Sequence, residues 1–337
     1  MSDSSFRSVG DLFPHLISQL EEAQPIVRKS TASKRRSKLV EKIIEIGEED
    51  VLEANALGFS SRVQVQVSLP HRDPGKPCEV WTRRNGHTSL SIVPGKYVDR
   101  SGKVINIGFP YGTIPRLILA YLSTTAVRTK SPDIDLGQSM AEFMHRIGMI
   151  SNGLHIRRLK NQLNRLVSSN ISFRYETGEE EAGMLAGGHR PIAKDFRFWW
   201  DMRQPEQQML FPSFVRLDQD FFQEIMEHPV PIDLRAIQVL KQSSLSLDLY
   251  TWLTHRVSYL NKPARIPWVS LEKHIGSEYG NTRDFKKKCK ESLRKIQCLW
   301  PELKLEEARG ALLLKPSSPH VSKTMIQVPA SLNNWND

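Results

Sequence analysis

The run Gly108-Phe109-Pro110-Tyr111-Gly112-Thr113-Ile114-Pro115-Arg116-Leu117-Ile118-Leu119-Ala120-Tyr121-Leu122 opens a stretch, extending to Asn170, whose reading decides the fold. Its glycines and proline mark a turn. The apolar run from Ile114 to Leu122 then reads as a helix, with Pro115 near the N-terminal end, where a missing N–H costs little. Beyond Lys130-Ser131-Pro132 the alternation Ile134-Asp135-Leu136 reads as a short strand. A compact helix from Ser139 to Ile147 follows, closed by Gly148. A second helix starts after Asn152-Gly153 and runs to Ser168, with Ile156, Leu159, Leu163 and Leu166 spaced to bury one face. Its other face carries Arg157, Arg158, Lys160 and Arg165 with no acid among them. Helix, short strand, helix, basic helix and then strands from Ile171 is the order of a winged helix. The plainer reading is a solvated basic face in an ordinary α/β protein.

The order occurs twice, and that favours the winged helix. Leu245, Leu247, Leu249, Trp252, Leu253, Val257 and Leu260 mark a second long apolar helix, and Ile266-Pro267-Trp268 a second short strand. Ser270 to Ile275, closed by Gly276, is the compact helix, and Thr282 is read as the cap of a basic helix reaching Cys298. Within it Arg283, Lys286, Lys287, Lys288, Lys290, Arg294 and Lys295 outnumber Asp284 and Glu291 by seven to two. Leu303-Lys304-Leu305 and Ala311 to Leu314 then flank Ala308-Arg309-Gly310 as a hairpin wing. In the first half the wing is assigned to Ile171–Tyr175 and Phe196–Trp200, bracketing a polar loop from Glu176 to Lys194 whose acids Glu179, Glu180 and Glu181 keep the tip off phosphates.

Elsewhere the signals are weaker. Val63, Val65, Val67 and Leu69 alternate with polar residues as a half-buried strand. Runs at Glu79–Thr82, Thr88–Val93 and Lys103–Ile107, with Asn85-Gly86 as a hairpin turn, complete a small antiparallel sheet over 62–107. Before it, Val9–Leu20 reads as a short helix, Arg28, Lys34, Arg35, Arg36 and Lys38 as a basic arm, and Leu39–Ile46 as a helix ended by Gly47. Phe214–Leu217 is a strand, Asp220–Met226 a helix, and Val230-Pro231 a linker. The expected fold class is therefore α+β: two tandem winged-helix domains, the first preceded by a small antiparallel sheet. The boundaries are an N-terminal arm and helix over 1–60, a first unit over 61–229, a second over 230–316 and a tail over 317–337.

Composition narrows the function. Among 337 residues, 47 Lys and Arg face 37 Asp and Glu, an excess that fits a polyanionic partner. Cys78, Cys289 and Cys298 have neither disulfide nor zinc spacing and fit reduced thiols in a cytoplasm. No run approaches the ~20 apolar residues of a membrane span, and Met1-Ser2-Asp3-Ser4-Ser5 does not open a signal peptide. Neither Gly95-Lys96-Tyr97 nor Gly102-Lys103-Val104 completes a phosphate-binding loop, so no nucleotide is expected. No nucleophile elbow, paired metal-binding histidines or acidic cluster points to catalysis, and the histidines, among them His71, His87 and His255, are scattered. No cofactor or metal is expected.

A basic helix of this kind fits the major groove of double-stranded DNA, about 12 Å wide. In the first helix the candidates are Arg157, Arg158, Lys160, Asn161, Asn164 and Arg165, with Arg suited to guanine and Asn to adenine. In the second they are Arg283, Lys286, Lys287, Lys290 and Arg294, the lysines suited to phosphate, with Arg309 at the wing tip suited to a minor groove. Solvent exposure is the plainer reading for each residue alone.

The chain resembles the RepA-type plasmid replication initiators of Gram-negative bacteria. The resemblance is carried by Leu69-Pro70-His71-Arg72-Asp73-Pro74, Trp81-Thr82-Arg83-Arg84-Asn85-Gly86, Leu90-Ser91-Ile92-Val93-Pro94-Gly95, and above all by Pro110–Leu122 with Thr125-Ala126-Val127-Arg128-Thr129-Lys130-Ser131. It spans about residues 60 to 300, and the segment before the basic helix, Ser151-Asn152-Gly153, is shorter here than in that family. The resemblance implies binding to directly repeated origin sequences (iterons), opening of the adjacent duplex, and recruitment of the host initiator and helicase. It also implies a homodimer that represses its own promoter, with the 62–107 sheet as the dimer surface. Alternatives are a winged-helix repressor with no initiation role, a DNA-nicking enzyme, and an RNA binder, the last disfavoured because no sheet face shows stacking aromatics.

Overall fold

The structure is a computed structural model that describes residues 43, 44, 46, 47, 49–75, 78–85, 88–177, 184–198, 200, 204–275 and 279–322. The fold is mixed α+β with several small antiparallel sheets. The basic arm read between Arg28 and Lys38 and the helix read at Val9–Leu20 lie outside the described residues. Of the helix expected over 39–46, Ile43, Ile44 and Ile46 are helical, and Gly47 continues it.

Strand β1 (Leu57–Ser61) is followed directly by helix α1 (Arg62–Gln66), where alternation had indicated a strand. Ser61 Oγ accepts the Gln64 N–H at 3.2 Å, and Ser60 Oγ donates to Gln64 Oε1 at 3.1 Å, so a local cap overrides the β-branched pattern. The alternation did report burial: Val65, Val67 and Leu69 are all in the interior. Strands β2 (Trp81–Asn85) and β3 (Thr88–Val93) form the expected hairpin. Strands β4 (Lys96–Val98) and β5 (Val104–Asn106) form a separate two-stranded sheet.

Helix α2 (Thr113–Thr129) runs on well past Leu122 and ends at Lys130, whose φ of 53° lies in the left-handed region. Then come β6 (Asp133–Gly137), α3 (Met140–Arg146), capped by Ser139 Oγ on the Glu142 N–H, and α4 (Gly153–Ser168). Gly148 closes α3 at φ 69°, a left-handed backbone that favours glycine, with the Gln238 side-chain amide packed against it.

After α4 the chain departs from the expected wing. β7 (Asn170–Thr177) pairs with β3 on one side and β8 (Met184–Pro191) on the other, giving a four-stranded sheet in the order β2-β3-β7-β8. The region read as a polar loop thus contributes a strand, and the sheet placed before the first unit is continuous with strands after its basic helix. Ile171 faces Ile92 in register, both buried in the core beneath this sheet. β9 (Ala193–Arg197) pairs instead with β10 (Ser213–Leu217), which also pairs with β6. Phe196, Phe198 and Trp200 stack at centroid spacings of 5.1 and 5.7 Å, and Trp200 continues onto Phe143 of α3 at 5.3 Å.

Helix α5 (Gln219–Glu227) leads into β11 (Pro229–Asp233), which replaces the expected linker and pairs with β1. Its prolines, Pro229 and Pro231, stand two apart, so their missing N–H groups share one edge and the ladder is kept. Phe59, opposite Pro231, sends its N–H to Thr124 Oγ1 of α2 at 2.9 Å instead. Helices α6 (Leu234–Leu240), α7 (Ser244–Val257), α8 (Trp268–Ile275) and α9 (Thr282–Leu299) follow, with β12 (Ala264–Pro267) before α8 and β13 (Leu305–Ala308) and β14 (Ala311–Leu314) at the end. The cap of α9 is Asn281, not Thr282: its Oδ1 accepts the Asp284 N–H at 2.9 Å, while the Thr282 hydroxyl bonds Glu272.

Two sheets now match. β6-β10-β9 and β12-β14-β13 have the same order, with the last-formed strand in the middle. Each is preceded by a long apolar helix and encloses a compact helix and a basic one between its first and second strands. Among the described residues there are two apolar cores, and α2 serves both, sending Ile118, Leu119, Leu122 and Ala126 to one and Leu117 and Ala120 to the other.

Candidate nucleic-acid interface

Helix α4 begins where Asn152 Oδ1 accepts the His155 N–H at 2.9 Å. His155 Nδ1 lies 3.1 Å from the Ile150 carbonyl, which pins the preceding turn. Ile156, Leu159, Leu163, Leu166 and Val167 are buried, each full burial contributing about 1.5–3 kcal/mol relative to exposure. The opposite face presents Leu154, Arg157, Arg158, Lys160 and Asn161 to solvent. Asn164 is half-buried, its Oδ1 accepting from Ser168.

Arg165 is not on that face. Its Nη1 donates to Asp73 Oδ2 at 2.8 Å and to the Phe109 carbonyl at 3.0 Å, and its guanidinium lies 5.3 Å from the Tyr111 ring centroid. With Gln162, whose Oε1 accepts the Tyr111 N–H at 2.9 Å, it fastens α4 to the segment that leads into α2. Helical spacing puts Arg165 on the basic face between Asn161 and Arg158, and the partners Asp73 and Phe109 draw its side chain away from that face.

Helix α9 repeats the arrangement, again started by an asparagine cap. Phe285, Cys289, Ser292, Leu293 and Ile296 are buried, and Arg283, Lys287 and Arg294 are exposed along one line. Burial pushes the Cys289 thiol up to about 12. Lys286 and Lys290 sit beside this line and both grip Glu307 of β13, Lys286 at 2.6 Å. Lys286 Nζ also lies 5.6 Å over the Trp268 ring. Hydrogen bonds from the two lysines hold the Glu307 carboxyl at about 2. Lys288 pairs with Glu291 at 2.8 Å. Arg309 is exposed at the β13–β14 turn, where Gly310 takes a φ of 73° and the Arg309 carbonyl accepts from Arg265 at 2.6 Å.

A buried polar clamp joins the two halves. Arg116 of α2 donates through Nε and Nη2 to both oxygens of Asp248 in α7, at 2.6 and 2.7 Å, and also reaches the Leu69 and Gly112 carbonyls. His71 Nε2 meets Asp248 Oδ2 at 2.8 Å. Burial raises the Asp248 carboxyl, but the Arg116 charge and the hydrogen bonds from His71 and Arg116 outweigh it and hold the group at about 2. Burial lowers His71, more than Asp248 restores. Nearby, Arg83 of β2 donates to the Ser68 and Ile275 carbonyls, bringing β2 to the end of α8. The clamp was not anticipated, because its members lie far apart in sequence and each looks ordinary alone.

Among the described residues no cluster of His, Cys, Asp and Glu is arranged to hold a metal ion, and no helix is long and apolar enough to cross a membrane. Residues 109–269, from the start of α2's approach segment to α8, match the family described as plasmid encoded RepA protein. This segment belongs to the plasmid-encoded RepA family. No curated protein matches the chain. Among solved structures, the chain is similar to a crystal structure of domains 2 and 3 of RctB at 11% identity and a TM-score of 0.51, covering 77% of this chain and 98% of that one. A second crystal structure of RctB domains 2–3 aligns at 12% identity and a TM-score of 0.47, covering 73% and 95%. At 11% identity the first likeness is one of fold.

Proposed function

We propose that this chain is a plasmid replication initiator that binds directly repeated origin sequences in double-stranded DNA through two tandem winged-helix units, without catalysis. The observation that carries the reading is the twice-built arrangement of a three-stranded sheet with matching strand order and an asparagine-capped basic helix. The units span about 61–229 and 230–316, with an arm before them and a tail after them. In each, α4 or α9 lies in a major groove, and the hairpin β9–β10 or β13–β14 reaches the neighbouring backbone. Arg157, Arg158, Lys160, Asn161, Arg283, Lys287, Arg294 and Arg309 make the contacts, while Asn164 lies at the margin. Two different helices in one chain suit asymmetric, directly repeated sites better than a palindrome. By the same reading the protein acts in the cytoplasm, opens the adjacent duplex and recruits the host initiator and helicase. As a homodimer it represses its own promoter, joined through the region before α2, where Tyr97, Val98 and Val104 are exposed.

The test is binding to origin-repeat DNA and to scrambled duplex across a salt series. One variant carries Arg157→Ala and Arg158→Ala; the other carries Arg283→Ala, Lys287→Ala and Arg294→Ala. Arg165 is spared because it is structural. Loss of affinity in both variants with the fold intact supports the tandem reading. Full affinity in both sinks it. Footprints confined to one palindrome select the repressor alternative, and nicks in supercoiled origin DNA select the enzyme.

A further inference from the structure

Ile150 and Leu154 are 73% and 53% exposed at the start of α4, large aliphatic side chains in a position that no described residue covers. Leu154 lies one turn before Arg157 and Arg158 and two before Asn161, on the same exposed line. Ile150 precedes the Asn152 cap, and its backbone is held by His155, so the two side chains flank a fixed turn. The second basic helix lacks this pair. Counting from its own cap, Asn281, the matching positions are Tyr279, whose ring packs near Phe285 at 6.2 Å, and Arg283.

We infer that Ile150 and Leu154 read thymine, by seating its 5-methyl group in the major groove at the N-terminal end of α4. This deepens the DNA-binding reading and rests on it. The surrounding charge favours DNA over an apolar protein partner: Arg157, Arg158 and Lys160 are all exposed around the aliphatic pair, with no acid on that face of the helix. The N-terminal residues of a groove-lying helix are those that meet base edges. Of the four bases only thymine offers an apolar group on the major-groove edge. The first unit therefore discriminates by shape and apolar contact as well as by charge, whereas α9, with lysine and arginine alone on its exposed line, holds phosphate.

The experiment uses the full chain and a duplex selected by it from a random-sequence pool, compared with a scrambled duplex and with the selected duplex carrying deoxyuridine for every thymidine. Removing the methyl groups is expected to weaken wild-type binding about fourfold per contacted thymine, the loss of one methyl from an apolar contact. In the double variant Ile150→Ala, Leu154→Ala the thymidine and deoxyuridine duplexes are expected to bind equally, with the unfolding midpoint unchanged. A wild type that prefers the selected duplex but ignores the methyl groups overturns the inference and leaves the DNA-binding reading standing. A double variant that keeps the full methyl preference also overturns it. A wild type with no preference for the selected over the scrambled duplex overturns both.

Discussion

On β13 the Glu307 carboxylate lies between Lys286 and Lys290, and its charge occupies two cations that otherwise border the exposed line of α9. Glu307→Gln keeps the side-chain shape and removes that charge. Each phosphate contact steepens the fall of log K with log salt by about 0.9 and, at ~0.15 M salt, amounts to roughly fivefold in affinity. Release of one lysine therefore predicts about fivefold tighter binding, and release of both roughly 30-fold, with slopes steeper by about 0.9 and 1.8. All three groups are about a third or more exposed, so the pairs themselves contribute at most about 1 kcal/mol and the fold is expected to survive. Fluorescence anisotropy with a labelled origin-repeat duplex across a potassium chloride series measures both quantities at once. An unchanged slope with unchanged or weaker affinity in a folded variant would refute the reasoning, because Lys286 and Lys290 would then face no phosphate whatever their partner.

Asp248→Ala strands the buried Arg116 charge and is expected to cost about 3–5 kcal/mol of stability by urea denaturation; a cost under ~1 kcal/mol contradicts the clamp. Burial lowers His71, and lowers His274 to about 4, so the folded state binds fewer protons than the unfolded one. Stability from these two groups is full above about pH 6.5 and is lost as pH falls toward 4, His274 alone contributing roughly 3 kcal/mol. Asp248, held at about 2, keeps its charge through that window. Denaturant midpoints that stay flat between neutral pH and pH ~4.5 count against this account. In the native protein Cys78, which is partly exposed, is expected to react with a maleimide while buried Cys289 and Cys298 do not. Mass spectrometry showing more than one fast adduct overturns that assignment.

What was legible in the sequence was local. The pattern of Ile156, Leu159, Leu163 and Leu166 set the buried face of α4, and glycine at 148 and 310 fixed turns. The exposure of Arg157, Arg158, Arg283, Lys287 and Arg294 followed from the same periods. Contacts made across the chain were not legible. Val63 to Leu69 alternates like a strand, yet the Ser61 cap makes part of it helical. The segment 184–191, with its paired glycines, gave no strand signal until β7 lay beside it. Arg165, Lys286 and Lys290 have the right spacing for a DNA face, and only Asp73, Phe109 and Glu307 reveal that they are already engaged. The exposure of Ile150 and Leu154 was not legible because it depends on the turn that the Asn152 cap fixes, which residue spacing does not give.

The pairing of β1 with β11, Leu57 opposite Asp233, has a consequence during synthesis. Phe59, fully buried in the finished protein, emerges from the ribosome long before its partner strand exists. Until Val230 and Ile232 are made, β1 presents an unpaired edge beside an apolar side chain, a state prone to wrong pairing. Completion of the first half must therefore wait for the start of the second, and a long-range contact of this kind slows folding. The two halves are built as one cooperative unit rather than as beads released in turn.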